Sequence, residues 1–325
     1  MPADGRPLFI VWHGFQRRAE ALAPLLGAGL VYLPNRWRSR WLRPLDYARK
    51  LLLTVQALRR ERPAVVVLQV PPPFGALAAL ALEVPYVLDA HNAALQGFWA
   101  RLPLSGWIMR RAALVVAHND EARRLAEERF PGARVAALRD PLDDRLMSRQ
   151  RGPRDERRIL IVCSFGPDEP IDQIHGLVAA RPDLEFVITA RVEKLERSWR
   201  ERLKALPNLR LTGFLASEDY DALLASVGAA VVFTARSATQ PSGACEALAS
   251  DTPLVLSRTS LTMSLFGDWA HLVEDARQAA EALDTARLSR PDLGEYRRSW
   301  MEGFRAELAV VRARMGEVDA SGRTS

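Results

Sequence analysis

The sequence predicts an α/β protein with two doubly wound domains, and three observations support this prediction. The chain has 325 residues, of which 48% are hydrophobic and 26% charged. This is ordinary globular composition, and the length exceeds what one hydrophobic core usually serves. Short apolar runs recur along the chain, each followed by a helical pattern. A polar stretch near the middle interrupts the alternation, so we expect two parallel sheets.

The first half of the chain contains six short apolar runs that we predict to be strands. The runs lack polar alternation, which is typical of strands buried on both faces, and the helical patterns between them indicate right-handed parallel crossovers. These strands are predicted at Leu8–Trp12, Leu30–Leu33, Ala64–Val70, Tyr86–Asp89, Leu114–Ala117 and Val135–Leu138. They form an N-terminal domain over residues 1–140.

Residues 141–157 are predicted to be a linker, because Arg and Asp dominate this stretch and the apolar runs lapse. A second domain follows over residues 158–290, and a C-terminal helix over 291–316 can pack back toward the first domain. The second set of strands is predicted at Ile159–Cys163, Glu185–Thr189, Leu209–Thr212, Ala229–Thr234, Pro253–Leu256 and His271–Val273. Two Rossmann-like domains facing a cleft would bind ligands at the carboxyl ends of their strands.

Charge and cysteine content limit the partners and the compartment. The net charge of +6 suits a phosphorylated small molecule or an anionic membrane surface. No nucleic-acid module accompanies it, so we expect no nucleic-acid partner. Cys163 and Cys245 lie in apolar segments, which indicates a reducing compartment. The sequence shows no signal-peptide pattern, and prolines and polar residues break its most apolar window. We therefore expect a cytoplasmic protein, peripheral at most to the inner face of the membrane.

Several common enzyme signatures are missing from the sequence. It has no Walker loop, no nucleophile elbow and no zinc-protease motif. Gly27-Ala28-Gly29 begins a dinucleotide fingerprint but lacks its third glycine and precedes a strand. The five histidines never fall four residues apart, so we expect neither a metal nor another cofactor.

Two loops after predicted strands of the first domain carry candidate site residues. Gly14 follows the first strand and precedes a helix, where it suits either a phosphate or a plain tight turn. Asp89-Ala90-His91-Asn92 ends the fourth strand and directs polar groups toward the predicted cleft, although a helix start would account for Asn92.

The segment Thr234–Glu246 is the most informative one in the second domain. Pro241 suits a first helical turn, after which the amides of Ser242, Gly243 and Ala244 would be unpaired donors that suit an anion. Glu246 is predicted in the same first turn, where the helix dipole would stabilise it. As a hydrogen-bond acceptor it would also suit a ribose diol.

The order Ser-Gly-Ala-Cys-Glu-Ala-Leu-Ala-Ser-Asp-Thr-Pro-Leu-Val-Leu-Ser, then Phe266-Gly267-Asp268 and His271-Leu272-Val273, resembles the donor-binding half of retaining GT-B glycosyltransferases of family 4 type, also called group 1. Thr212-Gly213-Phe214-Leu215 and Asp89-Ala90-His91-Asn92 add to the resemblance. It implies a UDP- or GDP-sugar donor held mainly by the C-terminal domain, an acceptor held by the N-terminal domain, and transfer with retention.

The resemblance also implies roles for individual residues. Glu246 matches the second glutamate of the family's E-x7-E motif, which contacts the donor ribose, while Gly14 matches a loop near the phosphates. His91 matches the histidine near the sugar and is the catalytic candidate. The donor-binding candidates are Gly14, Ser164, Arg191, Arg236, Thr239, Ser242, Gly243, Ala244 and Glu246.

The sequence departs from the family pattern at three positions. The first glutamate of E-x7-E falls on Ala238, and the arginine and lysine that grip the diphosphate fall on Ser164 and Glu169. Each lost charge-assisted bond to a phosphate costs about 1.5–3 kcal/mol. We therefore expect either that Arg191 and Arg236, at neighbouring strand ends, replace the missing pair, or that donor binding is weak.

A basic, tryptophan-containing segment precedes the second predicted helix. Its composition suits an anionic bilayer surface, with a solvated basic face as the alternative. The membrane-facing candidates are Trp37, Arg38, Arg40, Trp41 and Arg43, together with Arg49 and Lys50 of the same segment.

The resemblance therefore implies a glycosyltransferase, hexosyltransferase-like, acting on a glycan or lipid-linked acceptor in cell-surface polysaccharide synthesis. One alternative is a catalytically degenerate GT-B protein that binds a nucleotide or glycan as an assembly subunit, as Ala238, Ser164 and Glu169 suggest. Another is a nucleotide-sugar epimerase of the same fold, which would need carboxylates for acid–base work that the sequence does not identify.

Overall fold

A computed structural model describes residues 5–37, 39–149, 152–289 and 291–322. The chain divides into two compact units. The first unit ends at Pro141 and takes up the chain again from Glu302, and the second spans Leu142–Met301. Each unit is an α/β layer structure built on its own parallel sheet.

The first unit has a six-stranded sheet in the order β2-β1-β3-β4-β5-β6, and every strand pair in it is parallel. Its strands are β1 (Leu8–Val11), β2 (Gly29–Tyr32), β3 (Val66–Val70), β4 (Tyr86–Ala90), β5 (Leu114–Ala117) and β6 (Val135–Ala137). Its helices are α1 (Arg17–Leu25), α2 (Arg43–Glu61), α3 (Gly75–Ala81), α4 (Asn92–Leu95), α5 (Gly97–Arg101), α6 (Pro103–Arg111) and α7 (Asp120–Arg129).

The register of the central strands positions the polar residues at the carboxyl edge of the first sheet. All residues of β1, β4 and β5 are buried, because apolar side chains on both strand faces meet helices. Gln69 on β3 pairs with Asp89 on β4, and Ala90 pairs with Ala117 at the end of β5. The residues that follow β4 and β5 therefore leave the sheet side by side.

The second unit repeats this plan with the order β12-β11-β10-β7-β8-β9, again all parallel. Its strands are β7 (Asp155–Ile161), β8 (Glu185–Ile188), β9 (Leu209–Leu211), β10 (Val227–Val232), β11 (Leu254–Ser257) and β12 (His271–Val273). Its helices are α8 (Asp144–Ser148), α9 (Ile171–Ala180), α10 (Arg197–Lys204), α11 (Ser217–Ser226), α12 (Ser242–Ala249), α13 (Ser260–Phe266) and α14 (Ala276–Ala286), and α15 (Gly294–Gly322) closes the chain.

The predicted fold class is confirmed, and all twelve predicted strands are present. The stretch predicted as a linker contains more structure than we expected, since it includes helix α8 and the start of β7. The polar residues Asp155 and Arg158 belong to β7, where they pair with Val227 and Glu185. A strand that begins in polar residues gives no apolar signal, so its start lies four residues before the predicted one.

The closing helix α15 makes separate contacts in each unit. In the second unit, the Arg297 guanidinium donates to the Asp251 carboxylate at 2.6 Å. In the first unit, Arg139 donates to Glu307 from Nε and Nη2, at 2.9 and 2.7 Å. A Cβ on Gly303 would lie 2.8 Å from the Arg139 guanidinium, so a side chain at this position would displace the guanidinium.

Candidate functional site

A buried arginine organises the carboxyl edge of the first sheet. Arg18 on α1 donates from Nε to Asp89 Oδ1 at 3.0 Å, and from Nη2 to the carbonyl of Leu138 at 2.7 Å. Its Nη1 contacts the Asp140 carboxylate. The side chains of Arg18 and Asp89 are 3% and 2% exposed. Burial alone would raise the pKa of Asp89, but Arg18 and His91 hold it well below its usual range, so the carboxylate is charged.

Two histidines lie beside this carboxylate. His91 Nε2 is 3.4 Å from Asp89 Oδ2, and His118 Nε2 is 3.8 Å from Asp89 Oδ1. The two rings lie edge to face with centroids 4.3 Å apart. Burial lowers the pKa of His118 to about 3, with a further contribution from Arg18. The His118 ring is therefore neutral at physiological pH. We call Asp89, His91 and His118 the first-unit cluster.

Two glutamines surround the ring of His91. Its Nε2 lies 3.0 Å from Gln69 Nε2 and 3.3 Å from Gln16 Nε2. Gln16 also caps helix α1, since its side-chain oxygen accepts from the amide of Ala19. Gly14, the predicted phosphate-loop glycine, is exposed two residues before this cap. The sequence identified His91 but not Gln16, because a residue that caps a helix carries no sequence signal for its contact with His91.

The loop after β7 lies at the carboxyl edge of the second sheet. In this loop the sequence has Ser164 and Glu169 at the positions where the family that it resembles has an arginine and a lysine. The Glu169 carboxylate accepts from the amide of Ser164 at 2.9 and 3.0 Å, and from the amide of Gly166 at 2.6 Å. The two amides form a small anion-binding concavity, which the protein fills with its own carboxylate. Burial raises the pKa of Glu169, and these amides partly offset that effect.

Three cationic side chains follow strands at this edge. Arg191 follows β8 and lies over the ring of Phe214, with the guanidinium carbon 5.7 Å from the centroid. Arg236 follows β10 and is exposed. Lys194, which sequence reasoning overlooked, donates to the carbonyl of Ser164 at 3.0 Å. The predicted arginines therefore belong to the same strand edge of the second unit.

The start of helix α12 differs in one respect from the prediction. The amide of Ala244 donates to the carbonyl of Pro241 at 3.1 Å, because the first turn closes on itself, so it is not a free donor as predicted. Ser242 is exposed, whereas Gly243 is buried. A Cβ on Gly243 would lie 2.8 Å from Val162 Cγ1, so this glycine lets the helix pack closely on the sheet.

Glu246 lies in the second turn of α12, not in its first turn as predicted. The helix begins at Ser242, and its first turn contains no acidic residue. Helix-dipole stabilisation fades beyond the first turn, so it does not account for this carboxylate. Instead, the Tyr220 hydroxyl donates to Glu246 Oε2 at 2.6 Å. A half-buried carboxylate is thus held in a defined orientation by a residue from α11.

The segment between β10 and α12 contains the remaining candidates. Ala238, at the position of the family's first glutamate, is 3% exposed and has a φ of 57°. This left-handed conformation is unusual for a residue with a Cβ. Thr239 follows it and is half-buried. No carboxylate is therefore available from position 238 in this loop.

The predicted membrane segment contains fewer exposed residues than expected. Trp41 is 92% exposed and Arg43 is exposed, whereas Trp37 is half-buried beneath the guanidinium of Arg36. Lys50 is buried and donates to the carbonyl of Trp12 at 2.9 Å, so its assignment to a surface patch was wrong. Arg38 lies outside the described residues, and the structure gives no description of the Arg40 side chain.

An exposed apolar stripe continues from Trp41 along helix α2. Leu45, Ala48 and Leu52 are exposed at successive helical turns on one face, and Leu45 and Leu52 are 60% and 64% exposed. Among the described residues, we find no helix long and apolar enough to cross a bilayer.

Comparisons with known proteins agree with this architecture. No curated protein sequence matches the chain. The sucrose-phosphate synthase of Thermosynechococcus elongatus superposes with a TM-score of 0.71 at 14% identity, covering 98% of this chain and 99% of that one. Anabaena HepE in complex with UDP-glucose gives a TM-score of 0.70 at 13% identity, covering 97% and 100%. The UDP-N-acetylglucosamine 2-epimerase of Rickettsia bellii gives 0.62 at 14%, covering 98% of each chain.

A family model also matches the sequence of the first unit. Residues 3–140 match the family described as Glycosyl transferase 4-like domain, a range that includes Arg18 and the first-unit cluster. The structural similarities, at 14% identity and below, describe the fold of the whole chain. The protein thus has the GT-B fold of glycosyltransferases, and its N-terminal part matches the Glycosyl transferase 4-like domain.

Proposed function

We propose that the protein is a retaining glycosyltransferase that takes a sugar, a hexose by its family resemblance, from a UDP- or GDP-sugar donor. The fold and the family match of residues 3–140 support this proposal. Anabaena HepE, of the same fold, binds UDP-glucose. The observation that carries the proposal is the second-unit strand edge, where cationic groups and an oriented carboxylate lie on neighbouring elements.

The donor is held by the second unit in this proposal. Arg191, Arg236 and Lys194 supply positive charge for the diphosphate, together with the first amides of α12 at Ser242 and Gly243. These two amides have no partner within the helix, as at any helix start. Glu246 accepts from the ribose hydroxyls. The amide of Ser164 already binds Glu169, so the loop after β7 contributes little.

The acceptor is held by the first unit, with His91 beside the transferred sugar and Gly14 near the donor phosphates. His91 Nε2 lies within hydrogen-bond distance of the Gln16 amino group, and the His91 side chain is 28% exposed. With Nε2 as the acceptor, the ring carries its proton on Nδ1, which can donate a hydrogen bond to a sugar hydroxyl. The acceptor class is a glycan or a lipid-linked glycan of the cell surface.

The test of donor binding uses Glu246→Gln, which keeps the shape of the side chain but removes its charge. If Glu246 binds the ribose, the variant should lose about 1–2 kcal/mol of binding free energy for a nucleoside diphosphate, or roughly five- to thirty-fold in Kd. Inorganic diphosphate has no ribose and should bind both proteins equally. Calorimetric titration of each ligand measures this difference.

Two further variants make the test specific. Tyr220→Phe removes the hydroxyl that orients Glu246 and should weaken nucleotide binding in the same direction. Glu218→Gln, an exposed carboxylate on α11, is the matched control and should change nothing. An equal loss for both ligands, or none for the nucleotide, would contradict a ribose contact.

A binding protein without transferase activity is the second candidate, and two observations favour it. Ala238 supplies no carboxylate for the donor sugar, and Glu169 places a negative charge where the family has a lysine. Incubation with radiolabelled UDP- and GDP-sugars separates the candidates. Turnover with a new glycosidic bond supports the transferase, whereas ligand binding without turnover supports an assembly subunit. A changed sugar still attached to its nucleotide would indicate an epimerase.

The exposed stripe on α2 suits a peripheral position on the inner face of the membrane. Trp41, Leu45 and Leu52 offer apolar area, and Arg43 is exposed at the start of the same helix. Amphipathic helices with aromatic and basic residues bind in the interface of anionic bilayers. A lipid-linked acceptor would be reached from such a position in a cytoplasmic enzyme.

A further inference from the structure

The first-unit cluster has the composition and the spacing of a metal site. Its carboxylate oxygen and two ring nitrogens all lie within 4.8 Å of one another. Asp89 Oδ2 and His91 Nε2 are 3.4 Å apart. Ligand atoms about 2.0–2.2 Å from a tetrahedral zinc lie roughly 3.3–3.6 Å from one another. We propose that Asp89, His91 and His118 bind one divalent transition-metal ion, zinc or a metal of similar preference.

Two buried polar atoms within the cluster also support the proposal. Asp89 Oδ2 and His118 Nε2 are buried, and neither has a hydrogen-bond partner among the described residues. An unsatisfied buried polar atom costs about 1–3 kcal/mol. One ion placed between the two atoms satisfies both of them at once.

The orientation of the His91 ring also supports a bound cation. The side-chain oxygen of Gln16 is engaged by the amide of Ala19, which directs the Gln16 amino group at His91 Nε2. That nitrogen therefore carries a lone pair. It lies 3.4 Å from Asp89 Oδ2, so a cation between the two atoms would accept a lone pair from each.

The charge balance of the surroundings leaves room for a cation. Arg18 is a single positive charge between two carboxylates, Asp89 and Asp140, and the side chain of Asp140 is only 18% exposed. Arg18, Asp89 and Asp140 together carry a net charge of −1. A ligating carboxylate whose other oxygen binds an arginine is an ordinary outer-shell arrangement.

Gln69 offers a fourth ligand. Its Oε1 is buried and has no hydrogen-bond partner among the described residues, while its Nε2 lies 3.0 Å from His91 Nε2. A half-turn of the amide exchanges these two atoms, which have nearly the same shape. The oxygen would then face the ion. The partial exposure of His91 leaves an entry path from solvent.

The ligand set explains why the sequence pattern argued against a metal. Spacings of three or four residues indicate ligands on one helix, whereas His91 and His118 follow the adjacent strands β4 and β5. Two imidazoles and a carboxylate suit zinc, iron, nickel or copper more than magnesium or calcium. The inference concerns the first unit alone, so it stands even if nucleotide binding in the second unit fails.

Zinc and cobalt are the probes for the test. Chelator-treated protein is dialysed against Zn²⁺, and bound metal is measured by mass spectrometry. Titration with Co²⁺ is followed by its visible absorption, which reports low-coordinate nitrogen and oxygen ligation. Wild-type protein should bind one equivalent. His118→Gln and His91→Gln should each weaken binding by at least about 100-fold, since even outer-shell changes cost 10- to 100-fold.

The control is His175→Gln, which alters a histidine of the second unit that packs against Trp199 and should bind metal like the wild type. Circular dichroism verifies folding. If His118→Gln fails to fold, the more exposed His91→Gln decides. Less than one equivalent in wild-type protein, or unchanged affinity in His91→Gln, would overturn the proposal and support the sequence-based expectation of no metal.

Discussion

Removing the Arg18 side chain should destabilise the first unit far more than removing an exposed arginine with similar contacts. Arg18→Met keeps most of the aliphatic volume but leaves Asp89, which is 1% exposed, without its guanidinium. It also removes the bonds to Asp140 and to the carbonyl of Leu138. Breaking a buried ion pair by removing one partner costs about 3–5 kcal/mol, and we expect a loss in this range.

Arg123 is the matched control because it too contacts two carboxylates. On the surface of α7 it donates to Asp120 at 3.0 Å and to Glu127 at 2.7 Å. Exposed ion pairs contribute up to about 1 kcal/mol, so Arg123→Met should lose no more than that. Both arginines contact two carboxylates, so the two variants differ in burial and in the additional bond from Arg18 to the Leu138 carbonyl.

Native-state hydrogen exchange in increasing denaturant measures the loss in the first unit separately from the second. The amides of β4 and β5 report the opening free energy of the sheet that Arg18 supports. Asp140→Asn should cost less than Arg18→Met, since one carboxylate then remains for one guanidinium. If Arg18→Met costs no more than Arg123→Met, the reasoning about buried charge is refuted.

Three shorter predictions concern the other surfaces. Gly243→Ala should destabilise the second unit by about 1–3 kcal/mol, because its Cβ would meet Val162; exchange of the β7 amides measures this. Trp41→Ser should abolish co-sedimentation with anionic vesicles, and wild-type binding should weaken with salt; equal sedimentation of both proteins would exclude the apolar stripe as the membrane-binding surface. Glu169→Gln should raise affinity for inorganic diphosphate several-fold, because it removes a negative charge beside the loop amides; calorimetry showing weaker binding would contradict this.

Local apolar patterns predicted the fold because central strands of both sheets, such as β1, β4, β10 and β11, are buried along their whole length. The start of β7 was missed for the converse reason, since its first residues are polar and pair with neighbouring strands. Lys50 was misplaced because a charged residue in a basic segment gives no sign that it is satisfied by Trp12 and Asn35. In each case, the deciding contact comes from a part of the chain distant in sequence.

The same limit applies to the sites. His91 could be identified from the polar residues after β4, but its relation to His118 depends on two strands becoming neighbours. Glu246 could be identified from the helix that follows β10, yet its hydrogen bond with Tyr220 depends on the packing of α11. A sequence pattern identifies strand ends, and the order of strands in the sheet then decides which ends lie together.

The strand order also bears on the missing diphosphate lysine. The family pattern places this cation in the loop after the first strand of the second domain, where this chain has Glu169. The next strand in the sheet is β8, and Lys194 from its loop reaches the carbonyl of Ser164 in the first loop. Motifs compare positions along one loop, so they do not register a charge that arrives from its neighbour.

Lys194 is therefore the cation whose removal tests donor binding most directly. Lys194→Ala should weaken binding of both a nucleoside diphosphate and inorganic diphosphate, because the phosphates are common to the two ligands, and the loss should shrink at high salt. Lys204→Ala, which changes a lysine at the end of α10, is the control and should alter neither affinity. Glu246→Gln, by contrast, should weaken binding of the nucleoside diphosphate alone, so the two variants together distinguish a phosphate contact from a ribose contact. If Lys194→Ala binds diphosphate as tightly as the control, positive charge from the β8 loop does not replace the missing lysine, and the case for a binding protein with a degenerate donor site becomes stronger.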